Sequence, residues 1–115
     1  LADLKQRGLL EDTLVWWGGE FGRTPRLSIN ATGTGRNHWP QAYTALLSGG
    51  GLRMGQVVGA TNNKAEYPAE QPHTPQDLLA TIYRHLGIDP SSTLTDHSGR
   101  PVYILDSGKP IVDLI

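Results

Sequence analysis

The sequence contains no cysteine, which excludes both a disulfide framework and a zinc site held by thiolates. Any metal would therefore be held by His, Asp or Glu. Charge of one sign is also scarce, because 10 Lys and Arg residues are balanced by 11 Asp and Glu residues and the net charge is −1. Since no strongly basic surface is expected, neither a nucleic acid nor an anionic membrane is a predicted partner.

Long hydrophobic runs are lacking as well. No apolar stretch approaches the roughly 18 residues of a membrane span, and no signal-peptide pattern opens the chain. With 115 residues, 37% of them hydrophobic, the chain suits one domain with a core and is too short for two ordinary ones. It begins at Leu1, inside an apparent helix and without Met. We therefore expect a single domain, residues 1–115, that is a fragment of a longer protein or a domain cut from a longer precursor.

The most informative stretch is residues 14–25, LVWWGGEFGRTP. Residues 14–17 form a short apolar run, which is typical of a strand buried on both faces. Glycines, a carboxylate and an arginine follow immediately. Since open α/β sheets place their sites at strand ends, Glu20 and Arg23 are candidate functional residues. The alternative is a glycine-rich turn with a surface ion pair.

The remaining elements follow from hydrophobic periodicity and turn signals. Residues 1–8 are predicted to end a helix, and strands are predicted at residues 42–47 and 56–60, with polar loops over residues 24–37 and 61–72. The clearest helix covers residues 75–86, where Thr74 is the N-cap and Asp77 completes a capping box. Two apolar runs, residues 102–105 and 111–115, predict a small C-terminal hairpin.

This order of elements predicts an α/β fold with a mostly parallel sheet. Residues 14–17 and 43–47 are expected to be adjacent core strands, and the helix over residues 75–86 is expected to pack across the sheet. Coordinates that failed to pair the two strands in one sheet would contradict the prediction.

His38 is the histidine whose surroundings suggest chemistry, since it lies in the polar and aromatic segment Gly35-Arg36-Asn37-His38-Trp39-Pro40. Such a setting suits a metal ligand or a proton carrier better than an apolar core. Glu20 and His38 each lie beside a predicted strand, so we expect them to converge with Arg23 at one end of the sheet, with Arg36 nearby. The segment DHSG, residues 96–99, is interpreted as a turn.

Nearly the whole chain resembles the C-terminal part of the bacterial sulfatase-like proteins grouped as domain of unknown function 1501. The resemblance rests on the segments LKQRGLLEDTLVWWGGEFGRTP, GRNHWP, LLSGGGLRMGQVVGAT, HTPQDLLATIYRHLGID and DHSGRPVYILDSGKPI. Its most specific pieces are residues 19–25 and 35–40. The family is similar to a branch of the alkaline phosphatase and sulfatase superfamily. The implied fold is therefore the C-terminal portion of an alkaline phosphatase-like α/β/α sandwich.

The resemblance also implies roles for individual residues. Glu20 and His38 would be ligands of a divalent metal such as zinc, calcium or manganese, and Arg23 or Arg36 would hold the anionic group of the substrate. Phe21 stands at the position of a histidine ligand and cannot bind a metal. The nucleophile would lie upstream of Leu1, which leaves the catalytic residues unassigned, and the whole protein would be periplasmic or exported.

Two functions from different classes follow. The first is a metal-dependent hydrolase of sulfate or phosphate esters, to which this chain contributes the C-terminal part and in which it is inactive without the upstream part. Its substrate would be a small sulfated or phosphorylated molecule. The second is a non-catalytic binding or surface protein that keeps the alkaline phosphatase-like fold, with Glu20 and Arg23 as a structural ion pair. An upstream nucleophile and an Asp-rich metal motif would favour the first function.

Overall fold

A computed structural model describes all residues, 1–115, and divides them into two compact units, Leu1–Pro72 and His73–Ile115. In the first unit, helix α1 is followed by eight short strands. Their bounds are α1 Ala2–Gln6, β1 Val15–Trp17, β2 Gly22–Arg23, β3 Ser28–Asn30, β4 Gly33–Gly35, β5 His38–Trp39, β6 Leu46–Ser48, β7 Ala60–Thr61 and β8 Pro68–Glu70. The second unit contains α2 Pro75–His85, β9 Thr93–Thr95 and β10 Pro101–Tyr103. Neither helix has the length and apolar character needed to span a bilayer.

The predicted parallel sheet is wrong. Every strand pair is antiparallel, and every sheet has two strands, in the pairs β1–β6, β2–β5, β3–β4, β7–β8 and β9–β10. A parallel pair needs a long crossover, usually a helix, whereas the chain between β1 and β6 forms two antiparallel ribbons instead. The fold is therefore not an alkaline phosphatase-like α/β/α sandwich with a mostly parallel sheet.

The predicted pairing of the two apolar strands is confirmed, but their burial is not. β1 pairs with β6, with Val15 opposite Ser48 and Trp17 opposite Leu46. Trp17 is 74% exposed and Trp16 is 49% exposed, so β1 is not buried on both faces. The apolar run marked a strand correctly, but composition alone did not reveal that both tryptophans of this two-stranded sheet stay exposed.

Two segments predicted to be loops contain hairpins. Within residues 24–37, β3 pairs with β4 around a turn in which the Asn30 side chain accepts hydrogen bonds from the Thr32 backbone N–H (3.0 Å) and hydroxyl (2.7 Å). Within residues 61–72, β8 pairs back onto β7. The strand predicted over residues 56–60 is reduced to its last residue, because β7 begins only at Ala60.

Helix α2 begins and ends as its sequence predicts. The Asp77 N–H donates to the Thr74 hydroxyl (3.2 Å), while the Asp77 carboxylate accepts from the Thr74 N–H (2.7 Å), which completes the capping box. At the other end, Gly87 has a φ of 76°, and the Ile88 N–H donates to the Tyr83 carbonyl at 2.8 Å. This six-residue closure satisfies carbonyls that would otherwise lack a partner.

The C-terminal segment docks on α2 instead of forming the predicted hairpin between residues 102–105 and 111–115. The Asp77 carboxylate accepts the Lys109 N–H at 2.7 Å, and the Thr81 hydroxyl accepts the Ile111 N–H at 2.8 Å while donating to the Asp77 carbonyl at 2.6 Å. Thr81 has no exposed surface, and Ile111 is buried. The hairpin that does form pairs β10 with β9.

Two ionised carboxylates, Asp77 of α2 and Asp96 of the β9–β10 hairpin, stabilise the second unit. The hydrogen bond from the Lys109 N–H, followed by that from the Thr74 N–H, lowers the pKa of Asp77 below its ordinary 3.8. Its contribution to stability is therefore complete above that pH and is lost as the pH falls through the lower, folded-state pKa. At the tip of the β9–β10 hairpin, the Arg100 N–H lowers the pKa of Asp96, which also accepts from the Ser98 N–H. The turn interpretation of residues 96–99 is confirmed.

Replacing Thr81 with valine tests the docking of the C-terminal segment. Thr81→Val keeps the shape but leaves the buried Ile111 N–H without its acceptor, so we expect the second unit to lose about 1–3 kcal/mol of stability. Urea unfolding followed by circular dichroism measures the loss. The control is Thr95→Val, at an exposed position of β9, where no comparable loss is expected. Equal stability changes in the two variants would contradict this account.

Candidate functional site

The two-stranded sheet β2–β5 carries the candidate site. Arg23 lies directly opposite His38. The neighbouring Thr24 N–H donates to the Asn37 carbonyl at 3.0 Å, which marks that pair as hydrogen-bonded. Hydrogen-bonded and non-hydrogen-bonded pairs alternate along an antiparallel ladder, so Arg23 and His38 form a non-hydrogen-bonded pair with Cα atoms about 4.5 Å apart. Their side chains therefore stand side by side on one face of the sheet.

Gly22 allows the backbone carbonyls of Ala42 and Trp39 to lie close to β2. A Cβ at position 22 would collide with the carbonyl oxygen of Ala42 and would lie 2.9 Å from that of Trp39. Both are backbone atoms, which cannot move aside as a flexible side chain would. The second glycine of the sequence GEFGRTP therefore serves backbone packing within the sheet that pairs Arg23 with His38.

The Phe21 ring packs against both members of this pair. Its centroid lies 4.0 Å from that of the His38 imidazole, with an angle of 36° between the ring planes, and the Arg23 Cζ lies 5.6 Å from the Phe21 centroid. Residues two apart along an extended chain point to the same side, which places Phe21 and Arg23 together. Phe21 is half-buried, whereas Arg23 and His38 are exposed.

The two predicted anion-binding arginines are linked through the backbone. Arg23 Nη1 donates to the Arg36 carbonyl at 3.4 Å, and Arg36 Nη1 donates to the Thr24 carbonyl at 3.3 Å. Thr24 also accepts the Asn37 N–H on its hydroxyl at 3.1 Å. A guanidinium has five N–H donors, so these contacts hold each arginine near the ribbon with most of its donors available to a ligand.

The opposite face of β5 anchors the ribbon. Trp39, which follows His38 and points to the other side, donates from its indole N–H to the Glu66 carbonyl at 2.6 Å. Its ring lies 5.8 Å from that of Tyr67. The ribbon therefore has one face held by an aromatic anchor and another face that presents Arg23 and His38.

Glu20 precedes the ribbon and is exposed. It forms no ion pair with Arg23, so the predicted structural ion pair is not found. The structure thus groups Arg23, Arg36 and His38 through direct contacts and pairing, and Glu20 is not joined to them in this way.

A complete metal site is not formed by the residues of this chain. No group of three or more His, Asp and Glu side chains suited to a metal occurs among residues 1–115. Catalytic zinc sites use three protein ligands, and Glu20 with His38 would supply two. Phe21, which packs on His38, offers no donor atom. The metal assignment of Glu20 and His38 stays a prediction, and no chemical step is derived through it.

Comparison with known proteins identifies the family. The sequence model of the family described as Protein of unknown function (DUF1501) matches residues 1–115. The chain belongs to the DUF1501 family. The resemblance to domain of unknown function 1501 is therefore confirmed over the whole chain. Neither the comparison with curated proteins nor that with solved structures returned a match.

In this DUF1501 chain, the contact between Phe21 and His38 is not predicted from the sequence. Phe21 stands at the position of a lost metal ligand, and the structure shows that it is also a packing partner of His38. A signal was present, because aromatic or cationic side chains recur at a spacing of two on both sides of the glycine-containing segment 28–35. Phe21 and Arg23 precede that segment, and Arg36 and His38 follow it. Such spacing is typical of two antiparallel strands that share a face.

Replacing Gly22 with alanine tests the β2–β5 ribbon. The added methyl group would meet two backbone carbonyls, so we expect Gly22→Ala to cost about 1–3 kcal/mol or more and to disturb the Arg23–His38 pair. Thermal unfolding gives the stability change, and the indole N–H resonance of Trp39 reports on the ribbon.

The matched control is Gly35→Ala in β4, where an added Cβ meets nothing within 4 Å and φ is not in the left-handed region. We expect this variant to keep the Trp39 resonance of the parent chain. If Gly22→Ala and Gly35→Ala give the same stability change and the same Trp39 resonance, the close packing at Gly22 does not stabilise the β2–β5 ribbon.

Proposed function

We propose that this DUF1501 chain binds the sulfate or phosphate group of a small ester through Arg23, Arg36 and His38, as part of a sulfatase-like hydrolase. The observation that carries the proposal is the direct pairing of Arg23 with His38 on an exposed face, with Arg36 hydrogen-bonded to the same ribbon. Three side chains able to donate hydrogen bonds thus occur together. They form a local group of donors although the chain as a whole has a net charge of only −1.

The chemistry of these side chains suits a tetrahedral anion. A guanidinium presents N–H donors in a planar fork that matches two oxygens of sulfate or phosphate at once. Two arginines and an imidazole N–H can together meet more than one oxygen of the group. Because neither Arg23 nor Arg36 is neutralised by an ion pair, the ribbon retains its positive charge for a ligand.

In hydrolysis, such a surface would bind the ester and stabilise charge on the non-bridging oxygens as the bond to the leaving group breaks. Charge stabilisation of this kind accounts for much of the catalysis of phosphoryl transfer, where positioning and electrostatics dominate. The attacking group would come from polypeptide outside residues 1–115. The sulfatase-like resemblance of residues 19–25 and 35–40 supports this division of roles.

A non-catalytic binding protein is the second candidate, and the position of Phe21 favours it. An aromatic ring against His38 leaves the imidazole beside an apolar neighbour that offers no metal-ligand atom. The same anion-binding ribbon would then recognise a sulfated or phosphorylated molecule without cleaving it.

Removing one arginine at a time tests the anion-binding proposal. In titrations with inorganic sulfate and inorganic phosphate followed by NMR, we expect Arg23→Gln and Arg36→Gln each to weaken binding about tenfold or more, since charge-assisted hydrogen bonds contribute roughly 1.5–3 kcal/mol. The control is Arg84→Gln, an exposed arginine of α2 in the second unit. Equal affinities in all three variants and the parent chain would refute the proposal.

Assays of ester hydrolysis separate the two candidates. We expect the 115-residue chain alone to show no appreciable turnover of an aryl sulfate or aryl phosphate, because the sulfatase-like resemblance places the nucleophile upstream of Leu1. For the hydrolase, the full-length protein should turn over one of these esters, and Arg23→Gln should lower kcat/KM. Binding without turnover by the full-length protein would favour the non-catalytic candidate, and turnover by the isolated chain would contradict the division of roles.

A further inference from the structure

The anion site contains one residue that has no polar atom in its side chain and yet touches two of the binding groups. Phe21 is the single phenylalanine of the chain, and its ring lies 4.0 Å from the His38 ring and 5.6 Å from the Arg23 Cζ. The backbone pairing of β2 with β5 fixes the positions of the Cα atoms of Arg23 and His38. It does not fix the positions of the guanidinium and the imidazole, because both side chains are exposed.

Ordering exposed side chains opposes ligand binding. Immobilising a side chain with many rotamers on binding costs conformational entropy, and Arg23 has such a side chain. An aromatic ring that already holds the guanidinium and the imidazole reduces this cost before the ligand arrives. A cation over an aromatic face is attracted by the ring even at an exposed site, and this attraction biases the rotamer of Arg23.

We infer that Phe21 is a positioning residue of the anion site, whose ring holds the Arg23 guanidinium and the His38 imidazole toward the same ligand. The inference rests on the proposed anion-binding function. It gives Phe21 a role that does not require a donor atom. It also explains how an exposed ribbon of two short strands can present a defined constellation of donors.

Substitutions at position 21 distinguish an aromatic platform from a simple space-filling group. In titrations with inorganic sulfate, we expect Phe21→Leu to weaken binding about two- to fivefold, the equivalent of the cation–aromatic contact. Phe21→Tyr keeps the ring and should restore the parent affinity. The control is Tyr103→Leu, which removes an exposed aromatic side chain of β10 in the second unit and should leave sulfate affinity unchanged.

A spectroscopic measurement reports the positions of the two side chains directly. The ring current of Phe21 shifts the imidazole protons of His38 and the side-chain protons of Arg23. We expect those shifts to be lost in Phe21→Leu and kept in Phe21→Tyr. If Phe21→Leu does not fold, Phe21→Met, which is similar in size and also lacks a ring, takes its place.

The outcomes separate the inference from the proposal beneath it. If Arg23→Gln leaves sulfate affinity unchanged, the proposed function fails. If Arg23→Gln weakens binding but the leucine or methionine variant binds sulfate as tightly as the tyrosine variant, the positioning role of Phe21 is overturned and the anion site stands. A loss of affinity in Tyr103→Leu as large as that in Phe21→Leu would also overturn it.

Discussion

Antiparallel pairing of β2 with β5 is the interaction on which the candidate site depends. Each strand has only two residues, and a two-stranded sheet has little stability of its own. The ribbon is therefore held by contacts beyond its ladder. Gly22 allows the Ala42 carbonyl to approach, and the Trp39 indole reaches the Glu66 carbonyl. Those contacts lie on the side away from Arg23 and His38, so one face stabilises the ribbon and the other is free to bind a ligand.

Local signals were enough to predict the elements whose determinants lie close together in sequence. The N-terminus of α2 depends on Thr74, Pro75 and Asp77, and its C-terminus on Gly87, all of which act within a few residues. The turn at residues 96–99 is likewise built by the carboxylate of Asp96 and the backbone of its neighbours. Such features follow from side-chain chemistry and backbone sterics alone.

Features that depend on distant partners were not predictable in the same way. The apolar run at residues 14–17 marked a strand and its partner, but neither the antiparallel direction nor the exposure of Trp17 could be inferred from it. Thr81 looks like an ordinary helical residue until Ile111, 30 positions later, is seen to donate to its hydroxyl. At the site, the sequence pointed to Glu20, Arg23, Arg36 and His38, and only the register of β2 with β5 showed which of them are neighbours.

The register of β2 with β5 brings together residues 19–25 and 35–40, the two segments on which the family resemblance most depends. The proposed anion site lies where these two segments meet. Nuclear Overhauser spectroscopy on the 115-residue chain tests that register most directly. In a non-hydrogen-bonded antiparallel pair, the α-protons of opposite residues point at each other. The structure therefore predicts a strong cross-peak between the α-protons of Arg23 and His38. Absence of this cross-peak, with Arg23 connected to a different strand instead, would contradict the account of the site.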